Sequence, residues 1–204
     1  TSVGNLPANI ANPMLTWERT SEYNVGLDFG FLNQRISGNI EYYNRTTNDL
    51  LMKRNIPVHL GYSSVTSNVG SVRNSGFELQ LNTANIMTKN FAWNTTINLA
   101  YNKNEIVSLA DEEDLSNYSI HLQGMRGRYS DKRFIGKPVD TNWTQNTIGV
   151  WQLGEEEEAA KYGCVPGNFK IKDYNNDGKL TDDDYIIDGK RTPDWTGGMT
   201  NMFK

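Results

Sequence analysis

At 204 residues, with 37% apolar residues and a formal net charge of −4, the chain has room for one or two ordinary domains and no basic footprint for nucleic acid. The mean hydropathy of −0.63 excludes a helical membrane protein, because no stretch approaches the roughly 20 apolar residues a spanning helix needs. It does not exclude a β-barrel, whose alternating strands never raise a hydropathy average. Cys164 is the only cysteine, so no internal disulfide can form.

From Tyr23 the odd positions read Tyr23, Val25, Leu27, Phe29 and Phe31, against Asn24, Gly26, Asp28 and Gly30. After a tight turn around Leu32-Asn33-Gln34, Ile36, Gly38, Ile40 and Tyr42 oppose Ser37, Asn39 and Glu41. A second pair follows: Phe77, Leu79 and Leu81 against Glu78, Gln80 and Asn82, then Phe91, Trp93, Thr95, Ile97, Leu99 and Tyr101 against Asn94, Thr96 and Asn98. Side chains alternate faces along a strand, so each segment makes one apolar and one polar wall. The pattern predicts strands over 20–31, 35–46, 69–83 and 91–103. Alternation alone fits a soluble sheet or a barrel with lipid outside and a wet lumen.

The connections favour the barrel. A tight turn, a longer loop over 47–68, a short turn over 85–90 and a very long loop over 104–193 follow in order. Outer-membrane barrels combine short periplasmic turns with long external loops in this way, and structureless loops of such length are unusual in compact domains. Inside the long loop, Phe134–Pro138 and Ile148–Trp151 are expected as short strands, and 155–162 as an acidic helix ended by Gly163. The chain starts at Thr1 with no initiator methionine or signal peptide and stops at Phe203-Lys204 as a new strand begins. Both ends read as cut from a longer protein.

The sharpest local motif spans 173–184. Asp173, Asn175 and Asp177 supply hard oxygens at positions 1, 3 and 5 of an EF-hand-like calcium loop. Gly178 permits the sharp turn, Lys179 offers its carbonyl, Thr181 acts directly or through water, and Asp184 closes position 12. The expected ion is calcium in a structural role, with magnesium as the alternative, set against an acidic, glycine-containing turn with no ion.

Catalytic constellations are thin. His59 and His121 lie in different loops, no nucleophile elbow or phosphate-cradling loop is present, and Cys164 reads as an incidental loop thiol. No enzyme is expected. Trp143, Trp151, Tyr118 and Tyr129 could stack on sugars, but aromatics in a long loop more often pack against it. This leaves a second reading: a secreted or surface β-rich carbohydrate-binding module with a structural calcium site.

The residues read together resemble a family. Thr16-Trp17-Glu18, Glu22–Phe29, Gly38–Arg45 and Thr47–Leu51 look like barrel strands of SusC-like (RagA-like) TonB-dependent outer-membrane transporters of Bacteroidetes. Asn68–Leu79 is the most specific stretch, supported by Asn102–Ile106, the aspartate-rich loop and Pro193–Gly198. The resemblance implies an all-β fold: an antiparallel transmembrane β-barrel segment, part of a barrel of about 22 strands, with a long extracellular loop. The plug domain and final strands would be absent. It further implies import of glycans or peptides with a SusD-like surface lipoprotein, energised by the TonB complex through a missing N-terminal part, in contact with outer-membrane lipid.

Overall fold

The structure is a computed structural model that describes residues 11–56 and 64–204. It divides into two compact units, the residues up to Ala110 with Asp194–Lys204, and Asp111–Pro193.

In the first unit, β1 (Arg19–Phe31) and β2 (Ile36–Asn48) pair antiparallel from Arg19↔Asn48 to Phe31↔Ile36 without a register break. The turn between them holds Leu32, Asn33 and Gln34 at positive φ, a region that costs a non-glycine residue energy. The paired strands fix its ends, and the Arg35 guanidinium donates to the Ala84 and Asn85 carbonyls of the neighbouring hairpin. Beyond β2, β3 (Leu51–Asn55) and β4 (Ser64–Asn68) form a separate ribbon. The stretch expected as a loop over 47–68 therefore carries a hairpin, which continues the ladder past breaks at Asp49-Leu50 and Val69-Gly70.

β5 (Ser71–Met87) and β6 (Ala92–Ser108) are the longest strands. They run past the expected ends at 83 and 103, and the turn shrinks to Thr88–Phe91, closed by Thr88 N–H donating to the Phe91 carbonyl. Four strands of the sheet thus follow in the order β1-β2-β5-β6.

The second unit is built from short pieces: β7 (Glu113–Asp114), β8 (Arg126–Arg128), β9 (Arg133–Phe134), β10 (Thr141–Gln145), β11 (Thr147–Val150), β12 (Phe169–Ile171) and β13 (Tyr185–Lys190). Helix α1 (Glu156–Lys161) starts one residue later than expected. Gly163, at φ 66°, ends it with the N–H of Cys164 donating to the Ala159 carbonyl. The strand expected over 134–138 shrinks to β9, because Lys137 N–H already turns back to the Phe134 carbonyl. Leu115, Leu122 and Phe134 are fully buried, with Met125, Tyr129, Trp143 and Ile187 packed around them. This unit has its own core.

The chain then returns to the first sheet as β14 (Trp195–Phe203), paired with β6 from Trp195↔Tyr101 to Phe203↔Trp93. The strand expected only to begin at the chain's end already starts at Trp195 and forms a fifth wall member.

Gly76 locks the inner face. A Cβ there would lie 2.1 Å from the Tyr101 carbonyl and 2.9 Å from the Tyr43 hydroxyl. The bare backbone lets the Tyr43 ring cross it, so that its hydroxyl donates to Asn102 Oδ1 at 2.8 Å, two strands away. A tyrosine laid over a strand glycine returns packing that the glycine lacks. Gly76→Ala is expected to cost about 1–3 kcal/mol through overpacking, and Tyr43→Phe about 1 kcal/mol through the lost hydrogen bond. Both are read in the full-length protein as a lower temperature at which its folded form is lost. Wild-type behaviour of Gly76→Ala would contradict the close approach.

Candidate functional site

The candidate site is the five-stranded wall, whose register sorts side chains into rows. On one face, Val25, Tyr42, Phe77, Tyr101 and Trp195 form one row, and Leu27, Ile40, Leu79 and Leu99 the next. Phe29, Leu81, Ile97 and Met199 follow, with Phe29 covering Gly38. No second layer covers this face among the described residues: Val25 is 67% exposed, Leu27 64% and Met199 66%. Soluble proteins rarely leave so continuous an apolar face in water.

Aromatic rings border the band at both ends. At one end Tyr23 meets Tyr42, Phe77 stacks with Tyr101, and Trp195 packs against both Phe77 and Tyr101. At the other, Phe29 meets Phe31, and Phe203 stacks on Phe91 and Trp93. There a β-bulge between Ala84 and Ile86 frees Asn85 to donate to Thr95 Oγ1. Thr95 Oγ1 and Trp93 Nε1 in turn donate to Asn201 Oδ1, at 2.7 and 3.1 Å. From Tyr101 to Trp93 the strand covers about 27 Å at about 3.4 Å per residue, or about 20 Å of membrane normal once tilted by about 40°. Two aromatic girdles around an apolar band of this height match the lipid face of a barrel.

The opposite face is polar. Asp28, Asn39, Gln80 and Asn98 lie in one row, Glu41 and Glu78 directly opposite one another in the next, then Asn24, Tyr43 and Asn102. Asn39, Glu41, Glu78, Gln80 and Asn98 help line a recess of about 370 Å³. Glu22, Tyr43 and Arg45 join Glu41 and Glu78 around another of about 270 Å³. Facing glutamates repel, and water in a lumen screens that repulsion.

The predicted metal ligands lie in the second unit. Asp173 accepts backbone N–H groups from Asn176 (2.6 Å) and Gly178 (2.9 Å). Asn175 accepts from Asp177 N–H (3.1 Å), and Asp177 accepts from Lys179 N–H (2.8 Å). Asp184, fully buried, receives Tyr174 and Thr181 N–H groups at 2.8 Å each. Asn176 and Gly178 take the left-handed conformation such a loop requires. Among the described residues no three His, Cys, Asp or Glu side chains close on one point. The structure places the acids as turn caps, so a cation here would draw on mixed carboxylate, amide and carbonyl oxygens.

Desolvation opposes ionisation of Asp173, but donors from Gly178, Asn176 and the Tyr162 hydroxyl outweigh it and hold its carboxyl below the usual range. Burial, then the Asp182 carboxylate that its hydroxyl donates to at 2.5 Å, pushes the Tyr129 phenol far upward and keeps it a donor. His59 lies outside the described residues, and His121 packs edge-on against Tyr174. The loop aromatics serve packing: Trp143 contacts Phe134 and Tyr185, Tyr118 stacks on Tyr129, and buried Trp151 stacks on Tyr162.

A lipid-facing apolar wall backed by a polar one defines a transmembrane β-barrel segment. Residues 2–197 match the family described as TonB dependent receptor-like, beta-barrel, and the chain belongs to it. It is 34% identical over 193 residues to TonB-dependent receptor P26 of Formosa agariphila, covering 94% of this chain and 19% of that protein. It is also 34% identical over 194 residues to TonB-dependent receptor SusC of Bacteroides thetaiotaomicron, covering 95% and 18%. The RagAB peptide transporter aligns with a TM-score of 0.60 at 26% identity, over 95% of this chain and 20% of that one. The chain spans about a fifth of the length of such relatives. The barrel fold and outer-membrane location expected from the residues hold, and the family is a receptor family rather than an enzyme class.

Two outcomes follow from this geometry. Leu79→Arg, at mid-band, is expected to cost about 2–4 kcal/mol, whereas its neighbour Gln80→Arg, on the polar face, is tolerated. Refolding of each full-length variant into lipid vesicles measures the difference, and equal penalties would refute the assigned faces. Because the folded pKa of Asp173 is depressed, its stabilising contribution is complete above the unfolded value and is lost only below about pH 4. Protection of the Asn176 and Gly178 amides, corrected for the pH dependence of intrinsic exchange, should therefore stay constant from neutral pH down to about pH 4 and fall only below that.

Proposed function

We propose that the wall and its long connections belong to an outer-membrane importer, driven through TonB, that takes up glycans or peptides with a SusD-like surface lipoprotein. The observation that carries this reading is the strict segregation of an apolar face from a polar one across five strands. The likeness to SusC and to the RagAB peptide transporter supports it. Substrate would be captured outside, released inward as TonB pulls on a plug, and passed along the polar wall. The long insertion between β6 and β14 would face the exterior, where barrels of this kind carry their large loops.

The importer reading also assigns the 173–184 loop a structural calcium ion. Support comes from the donor set of Asp173, Asn175, Asp177, Lys179 and Asp184, the left-handed Asn176 and Gly178, and the buried Asp184 carboxylate. Calcium would satisfy carboxylate lone pairs that backbone donors leave over; magnesium, which demands tighter octahedral geometry, is the less suitable ion.

Deleting the full-length gene should abolish growth on one class of glycan or peptide as sole nutrient, and affinity purification in mild detergent should recover a lipoprotein partner. Recovery of the receptor in the soluble fraction, without a heat-modifiable band, would defeat the importer reading. For the metal, calorimetry on chelator-treated receptor should give binding by about 1 mM calcium, abolished in Asp173→Asn/Asp177→Asn. Absence of heat at that concentration would leave the loop an ion-free turn.

A further inference from the structure

Beyond the aromatic row of Tyr42, Phe77, Tyr101 and Trp195, the apolar face changes character abruptly. Ser75 stands opposite Lys103, and Arg73 opposite Glu105. One carboxylate serves both cations: Arg73 Nη1 lies 3.2 Å from Glu105 Oε1, and Lys103 Nζ lies 2.8 Å from Glu105 Oε2. The side chains of Arg73 and Lys103 are 42% and 54% exposed, while that of Glu105 is 20% exposed. A guanidinium has five N–H donors and an ammonium three, so most of the donors remain available outward and the trio keeps one net positive charge. Lys103 lies about 7 Å along the strand from Tyr101, and Arg73 about 13 Å from Phe77, both shortened by tilt. That is headgroup depth, directly above a hydrocarbon-height band.

We propose that Arg73 and Lys103 dock the phosphate of an outer-leaflet glycolipid, whose acyl chains lie along the apolar rows through Leu79 and Leu99. The inference rests on the importer reading only for which end faces out. Charge complementarity selects the headgroup, and continuity with the apolar band selects a lipid over a free anion. Glu105 orients the two cations and competes with the ligand, which gives the proposal a sign a structural ion pair would not have.

The test uses full-length receptor purified in detergent, with folding verified by its heat-modifiable band, and native mass spectrometry to count bound lipid. Probes are diphosphorylated lipid A, its dephosphorylated counterpart and inorganic phosphate. Wild type should retain the diphosphorylated lipid, and Arg73→Gln/Lys103→Gln should weaken retention about thirtyfold. Arg73→Lys should keep most of it, and Glu105→Gln should strengthen it. Equal retention of the dephosphorylated lipid, weaker binding by Glu105→Gln, or displacement by low-millimolar inorganic phosphate would each overturn the proposal. A folded, membrane-recovered receptor that fails these tests leaves the importer reading standing, whereas soluble recovery strikes the importer reading itself.

Discussion

Everything in the wall depends on one constraint: a single-layer sheet must satisfy its backbone laterally and its apolar face elsewhere. The five strands pair in antiparallel order, so the interior strands satisfy most of their ladder groups laterally. Their apolar side has no second layer among the described residues. Lipid is the solvent that removes the cost of exposing it, and water on the other side solvates the amides and carboxylates. The outer edges of β1 and β14 carry the same demand, which further strands of a closed barrel meet.

Within that constraint, strands of one letter pattern are held in one register by a few non-local devices. Tyr43 reaches over Gly76 to Asn102 and ties three strands on the polar side. Asn85, thrown out by a bulge, donates to Thr95, whose hydroxyl in turn ties β6 to Asn201 of β14 at the opposite end and face. Arg35 ties the tight turn to the hairpin beside it. A slip by one residue would invert both faces, and each of these contacts would be lost with it.

The strand centres were legible because period-two alternation is local and strong between Tyr23 and Tyr101. Strand ends were not: Asn102, Lys103, Asn104 and Glu105 are all polar, so the ladder past 103 leaves no trace in hydropathy. The β3–β4 ribbon hides for the same reason, since Leu51 and Met52 sit side by side with no alternation. β14 is rich in glycine and threonine and becomes a strand only because β6 offers a partner. A sharp acidic turn over 173–184 was legible by spacing alone, and the structure shows its side chains capping backbone N–H groups. The Tyr43–Gly76–Asn102 tie and the Arg73–Lys103–Glu105 trio join residues far apart in the chain, so no local pattern could announce them.

The separate core of Leu115, Leu122 and Phe134 has an evolutionary consequence. An insertion that packs around its own centre places few demands on the strands that carry it. Its surface can drift under selection by whatever it meets while the wall keeps its pairing rules. Barrel and insertion are then two parts that can change separately, because the folding of Asp111–Pro193 rests on its own centre.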